Sequence, residues 1–268
     1  MIKNPQQLIK HVTKEITQFT DIAVVGMSGG ADSTAVAILC KLALGCNNVY
    51  GIHMPYGIVD KQTFNLRSQQ IAERLRINSN LIDIGPIVAS MEQGLTTDLF
   101  KELNQVNKGN IRARARMCLL YSAAHELANN LQKRARVIGT GNLSEDFIGY
   151  DTKGGDALAD IFPLGELFKS EIYQLLDYFK DLEIITEDMI DRTPSAGLWE
   201  GQTDAEEIGY TYDQMEPSIR KYRNTIGLFE NRGRENFTEI DHMVVNRYFA
   251  NKHKHEPTRI ITSRQFCE

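Results

Sequence analysis

Short apolar runs alternate with amphipathic stretches along the first half of this chain. Residues 5–19 place Leu8, Ile9, Val12, Ile16 and Phe19 on one helical face. IAVVG (22–26) follows, apolar and β-branched, and predicts a buried strand. Residues 31–45 predict a helix closed by Gly45. The alternation continues with a strand at 48–55 (NVYGIHMP), a helix at 61–76 whose apolar positions include Phe64, Leu66, Ile71 and Leu75, and a strand at 80–86 (NLIDIGP). Helical stretches at about 87–105 and 108–131 precede a fourth strand, ARVIG, at 135–139. Beyond it the spacing is helical: 143–149, 169–181, 187–191, 211–223 and 237–250.

Strands alternating with helices require crossover connections, so the sheet is parallel and covered on both faces. The fold expected is α/β, a doubly wound, mostly parallel and Rossmann-like sheet flanked by helices. Ligands of such sheets bind beyond the carboxyl ends of the strands. SGGADS (28–33), HMPYG (53–57) and GTGNLSED (139–146) all follow strands, which places them on one edge. No internal repeat or low-complexity segment interrupts the chain. DTKGGDALA (151–159) and RTPSAGLWEGQTDA (192–205) are the candidate flexible stretches.

Composition narrows the function classes. A chain of 268 residues holds one large domain or two small ones, and 42% hydrophobic with 24% charged residues excludes disorder as the dominant state. The net charge of −5 leaves no global basic field for nucleic acid. None of the four cysteines forms a C-x-x-C pair, so a zinc site has no support; Cys40 and Cys118 lie in apolar helical stretches and are expected to be buried thiols. The first residues, MIKNPQQLIKHV, lack the apolar centre of a signal peptide, and no run approaches the roughly 20 apolar residues of a membrane span. A reducing, cytoplasmic setting is expected, without membrane or nucleic-acid partners.

The candidate chemistry starts at GMSGGADST (26–34), between the first strand and its helix. Glycine weakens regular elements, so Gly29 and Gly30 imply a backbone requirement. A strand, a glycine turn and a helix start point backbone N–H groups inward and add the helix dipole, which makes an anion site. Ser28, Ser33 and Thr34 supply hydroxyls. Asp32 would repel a phosphate unless a divalent cation such as Mg²⁺ bridges them. An ordinary glycine turn capped by Asp32 or Ser33 is the bland alternative. No G-K-[ST] of a Walker loop occurs, and GTGNLS (139–144) misses the dinucleotide fingerprint at Ser144.

S-G-G-x-D-S at 28–33 resembles the signature of the ATP pyrophosphatase family, whose members cleave ATP between its α and β phosphates. Further segments narrow the resemblance. GNIRARARM (109–117) is similar to N-[IE]-x-A-R-x-R-M, and GTGNLSEDFIGYDTKGGDALADIFPLGELFK (139–169) to G-T-[DG]-[NH]-x-x-E-x-x-x-G-[YF]-x-T-K-x-G-D. TPSAGLWEGQTDAEEIGYTYDQM (193–215) and HKHEP (253–257) complete the series in order. Together they resemble the ammonia-dependent NAD synthetases along nearly the whole chain. A single synthetase domain over 1–268 is implied.

That resemblance implies a site, residue by residue. Gly26, Met27, Ser28, Gly29, Gly30, Ala31, Asp32 and Ser33 would cradle ATP phosphates, with Thr140, Lys169 and Ser195 as further ATP contacts. Asp32 and Glu145 would hold Mg²⁺. Arg114, Lys153, Asp160, His253 and Lys254 would hold deamido-NAD. The nicotinate carboxylate would attack the α-phosphorus of ATP, and ammonia would displace AMP; Asp32, Glu145 and Lys169 would serve this chemistry, with Asp160 a candidate base for ammonium. Free ammonia is the expected donor, since 268 residues leave no room for a glutaminase domain. A homodimer is implied, and the helices at 87–131 offer such a surface or pack internally.

Each residue also has a structural alternative. Arg112, Arg114 and Arg116 recur every second residue on a helix, so they cannot share one ligand; one is expected to function and the others to be solvated. Glu145 could serve the dipole of a helix start, Lys153 could be a loop lysine, and His253-Lys254-His255 a charge cluster at a helix end. Met54 and Tyr56 either touch adenine or pack. Asp151 and Gly154 stand where many relatives carry an aromatic, and Ser195 where threonine is common. Another amidating or thiolating member of the wider family, or a nonenzymatic nucleotide sensor, is the rival to the synthetase.

Overall fold

Ile22, Ala23, Val24 and Val25 are fully buried because their strand, β1 (Ile22–Gly26), runs through the middle of a parallel sheet. The computed structural model describes residues 1–57, 67–97, 101–190, 203–230 and 234–257. On one side β1 pairs with β2 (Val49–His53), which pairs in turn with β3 (Asn78–Leu81); on the other it pairs with β4 (Ala135–Ile138). The order is β3-β2-β1-β4. The chain therefore winds outward from β1 and returns to its opposite side, and the order reverses between β1 and β4. Loops leaving those two strands diverge at their carboxyl ends and open a crevice there.

Alternation along β1 divides the core. Ala23 and Val25 pack with α1 (Pro5–Phe19), α2 (Ala31–Leu44), α3 (Arg67–Leu75) and α7 (Lys169–Asp181). Val24 faces the other layer, α4 (Gly85–Leu95) and α5 (Gln105–Leu131). A third apolar cluster joins α6 (Leu143–Phe147), α8 (Asp204–Ile208), α9 (Tyr212–Tyr222) and α10 (Glu239–Asn251), with the Phe147 and Tyr248 rings 4.9 Å apart. Local chemistry sets the helix starts. Asn4 accepts from the Gln7 N–H at 3.0 Å ahead of Pro5, and Thr211 and Gln214 form a reciprocal capping box on α9.

The doubly wound α/β expectation holds, with local differences. β3 ends at Leu81, earlier than the apolar run to Ile84, because Asp83 Oδ1 accepts from Gly57 N and Gly85 N and turns the chain into α4. Of the helix expected at 187–191, residue 191 lies outside the described residues, and the rest gives only a 3₁₀ turn, Glu187–Met189. α8 has five residues, too few to show periodicity, and lies partly in a stretch expected to be irregular. Residues 61–66 of the expected third helix lie outside the described residues. Cys40 is buried as expected, but Cys118 is exposed, on the outer face of α5.

Candidate active site

Gly26 ends β1, and Met27 anchors the next step by donating its N–H to Ile52 O at 2.9 Å. Gly29 has φ +76°, and a Cβ there would lie 3.0 Å from Ser68 N, so the turn needs glycine twice over. Gly30 caps α2 without a side-chain hydrogen bond. Ala31 starts a helix of fourteen residues whose first turn opens on the loop, with its dipole end toward the crevice. The hydroxyls brace this cradle. Ser28 Oγ accepts from Gly30 N at 3.2 Å and lies 3.1 Å from Ser33 Oγ, while Thr34 Oγ1 donates to Gly30 O at 2.8 Å. Thr34 is thus committed internally, and Ser28 is the exposed hydroxyl of the loop.

Three charged side chains from distant positions meet beside this cradle. Lys169, the first residue of α7, places Nζ 2.5 Å from Asp32 Oδ2 and 2.9 Å from Glu145 Oε1. Asp32 lies in the first turn of α2 and Glu145 on α6. Asn142, the cap of α6, joins them: its Nδ2 donates to Asp32 Oδ1 at 3.0 Å and its Oδ1 accepts from Glu145 N at 3.1 Å. The Tyr212 hydroxyl bridges Asp204 Oδ2 at 2.8 Å and Glu145 Oε1 at 3.3 Å. Asn142, Asp204 and Tyr212 escape the sequence reading, although the asparagine has a local signal, a capping residue directly ahead of a helix.

The electrostatics follow from this packing. Burial, reinforced by the charges of Asp32 and Asp204 and opposed by Lys169, pushes Glu145 up to about 7. Burial alone would pull Lys169 down, but Asp32 and Glu145 outweigh it and hold the ammonium well above its ordinary range. Burial, Glu145 and Asp204 push the Tyr212 phenol upward, so it stays protonated and able to donate. Lys169 exposes 6% of its side chain, whereas Asp32 and Glu145 expose 17% and 19%. The ammonium is therefore the most buried member of the trio, and the two carboxylates are its more exposed members. The two carboxylates are hard oxygen donors of the kind that suit a divalent cation such as Mg²⁺.

The remaining predicted residues fall into two groups. Thr140 stands half-buried in the loop from β4 to α6. Its neighbour Gly139 is packed so closely on Phe162 that a Cβ would come within 2.4 Å of the ring. Ser195 lies outside the described residues. Arg114, Lys153, His253 and Lys254 come together in a second cluster. Arg114 Nε donates to Lys153 O at 3.2 Å, Lys153 Nζ to His253 O at 2.5 Å, and Lys254 Nζ to Gly149 O and Asp151 O at 2.7 and 2.8 Å. A cavity of about 170 Å³ lies here, lined by Asn110, Tyr150, Asp156, Arg247 and Lys254 among others. Asp160 lies apart from these groups, with Oδ2 accepting from Val137 N at 2.8 Å along β4.

Arg112 and Arg116 are not solvated, contrary to expectation. One turn apart on α5, they face the loop after β2. Arg112 stacks on Tyr56 at 3.7 Å, and Arg116 Nε donates to Met54 O at 3.1 Å. Met54 itself is buried and packs. The 151–159 stretch is tied both within itself and to α5, with Thr152 N donating to Asp156 Oδ1 at 2.9 Å and Thr152 Oγ1 to Asn110 Oδ1 at 2.8 Å.

Comparison with known proteins decides between the rival families. The family model described as NAD synthase matches residues 2–258. The chain belongs to the NAD synthase family. Among curated relatives, the NH(3)-dependent NAD(+) synthetase of Methanocaldococcus jannaschii is 36% identical over 222 residues, covering 81% of each chain. That of Methanococcoides burtonii is 40% identical over 198 residues, covering 74% of this chain and 70% of its own. Two solved structures are each 27% identical over 97% of this chain and 100% of theirs. One is the NMN synthetase from Francisella tularensis, with a TM-score of 0.76. The other is the NH3-dependent NAD synthetase from Campylobacter jejuni in complex with the nitrate ion, with a TM-score of 0.72. Within the NAD synthase family, the α/β fold and a ligase activity follow for this chain, and the sensor alternative loses its support.

Proposed function

We propose that this protein adenylates the nicotinate carboxylate of deamido-NAD with ATP and amidates it with ammonia, giving NAD, AMP and pyrophosphate. The observation that carries the proposal is the meeting of Lys169 with Asp32 and Glu145 beside the uncapped start of α2, at the point where strand order reverses. Backbone N–H groups in the first turn of α2 and the helix dipole suit the β and γ phosphates. A carboxylate oxygen of the acceptor attacks the α-phosphorus, the bond to the bridging oxygen breaks, and pyrophosphate leaves into the cradle. Lys169 stabilises charge as it develops on the phosphate oxygens. Asp32 and Glu145 would hold Mg²⁺, which when bound neutralises phosphate charge. Ammonia then attacks the acyl carbon, and AMP leaves with the activated oxygen.

The second cluster, Arg114 with Lys153, His253 and Lys254, is proposed for the acceptor, because an anionic ligand needs local cations in a chain of net charge −5. Asp160, apart from that cluster, is proposed as an acceptor contact through hydrogen-bond donors of the ligand, not through its charge. Thr140 and Ser195 are proposed as ATP contacts. We take residues 1–268 as one synthetase domain, working as a homodimer in the cytoplasm on free ammonia, without nucleic acid. Among the described residues, no helix is long and apolar enough to cross a membrane.

The Francisella likeness favours testing a second acceptor, nicotinate mononucleotide, whose carboxylate is chemically the same. The assay mixes protein, ATP, Mg²⁺, ammonium and either acceptor, then separates the nucleotides. AMP, pyrophosphate and NAD are expected with deamido-NAD, and chelation of the metal abolishes them. ADP with phosphate would defeat the mechanism, and amidation of the mononucleotide alone would reassign the acceptor.

A further inference from the structure

Tyr212 and Glu216 stand one turn apart on α9, and each reaches the support of the charged trio from behind. Glu216 is only 4% exposed. A buried carboxylate is costly unless its oxygens are occupied, and these are. Oε1 accepts from Ser144 Oγ at 2.8 Å and from Ser170 N at 3.1 Å; Oε2 accepts from Ser170 Oγ. Ser144 Oγ in turn accepts from Lys169 N at 3.0 Å.

The pattern has a physical purpose. The first N–H groups of a helix lack partners within it. The residue before α7 is Phe168, whose side chain has no acceptor. The Lys169 and Ser170 amides therefore end on Ser144 and Glu216, which come from two other helices. A carboxylate is also the charge that a helix start favours. Lys169 begins α7 and Glu145 follows Ser144 on α6, so Glu216 fixes the relation between the two helices that carry the ammonium and its carboxylate partner. Tyr212, on the same face of α9, shares its one phenolic proton between Asp204 Oδ2 at 2.8 Å and Glu145 Oε1 at 3.3 Å, and so ties the Glu145 carboxylate to Asp204. The apolar face of α9, with Met215 and Ile219 fully buried, seats the helix independently of these polar contacts.

We infer that, given the synthetase activity proposed above, Glu216 and Tyr212 are positioning residues that set Lys169 and Glu145 against Asp32 from the back of the site. Both are buried, Tyr212 at 7% and Glu216 at 4% exposure. Their removal displaces charged groups that must meet developing charge, and displacements of about an ångström lower turnover by factors of tens to a hundred.

The test uses Glu216→Ala, Glu216→Gln and Tyr212→Phe in the full chain, with two readouts. The first is steady-state AMP formation. Tyr212→Phe and Glu216→Ala should each lower kcat on the order of tenfold, with KM for ATP changed by less than about threefold. Glu216→Gln keeps an oxygen for the Ser170 N–H and should restore most of the rate. The second is amide hydrogen exchange, which does not depend on activity. In Glu216→Ala the Lys169 and Ser170 amides should exchange on the order of tenfold faster while β1 keeps its protection. Unchanged exchange at those amides, a glutamine variant no better than alanine, or a rate loss equal to the loss of folded protein would overturn the positioning role. A parent protein that forms no AMP with either acceptor, yet has the expected exchange pattern, would instead overturn the activity and leave the hold on α7 established.

Discussion

Lys169 concentrates the chemistry of the site in one side chain. It is buried, it faces two carboxylates, and its charge is secured by them. Asp32 is the member whose loss is most informative, because Lys169 still keeps Glu145 as a partner. Asp32→Ala is expected to lower kcat on the order of 10² or more, with the Mg²⁺ dependence shifted to higher concentration. Full activity with the same metal dependence would remove Asp32 from the mechanism. Residues such as Asp32 and Gly29 were legible because their reason lies within six consecutive positions: a glycine turn that only glycine fits, then a helix start. Asn142 and Tyr212 were not. They act on partners 110 and 67 positions away, and no local pattern encodes such a pairing.

Among the elements, α5 departs furthest from its sequence reading, while the turn at Lys252–Lys254 takes the expected alternative of a charge cluster at a helix end. Three arginines spaced by two on α5 all found protein partners, because the loop after β2 and the 151–156 loop flank the helix on opposite sides. The charge cluster at the C-terminal turn proved to be a clasp. His255 Nδ1 lies 2.7 Å from Asp146 Oδ1 and its Nε2 3.1 Å from Asp151 Oδ2, while Lys254 ties the same loop through backbone carbonyls. Hydrogen bonds to Asp146 and Asp151 push the imidazole up to about 9. Because that is above the value of an unfolded histidine, the clasp contributes fully below about pH 6.5 and is lost as pH rises through about 9. Hydrogen exchange across 252–257 should therefore be slow at pH 6 and accelerate towards pH 9.5 beyond the intrinsic rate. In His255→Gln the extra acceleration should vanish. Equal protection at both pH values would show that the clasp does not depend on the proton.

For the molecule as a whole, the decisive feature is where the strand order reverses. Placing β4 beside β1 brings GTGNLSED against SGGADS, and α7 and α9 close the back of the crevice. The proposed homodimer belongs at this scale too. Sedimentation at micromolar concentration should give twice the chain mass of 30.3 kDa, and a monomer under turnover conditions would remove that proposal. By itself the sequence determined the strand–helix alternation, the parallel sheet, the edge that carries the loops and the glycine turn ahead of α2, since each follows from local spacing and backbone freedom. Only the tertiary structure decided that Lys169 stands between Asp32 and Glu145, that Asp160 accepts from the Val137 amide of β4, and that α9 packs against Glu145 and Ser144. Those facts depend on which buried charges find partners across the fold, a matter of three-dimensional packing and desolvation that linear order does not carry.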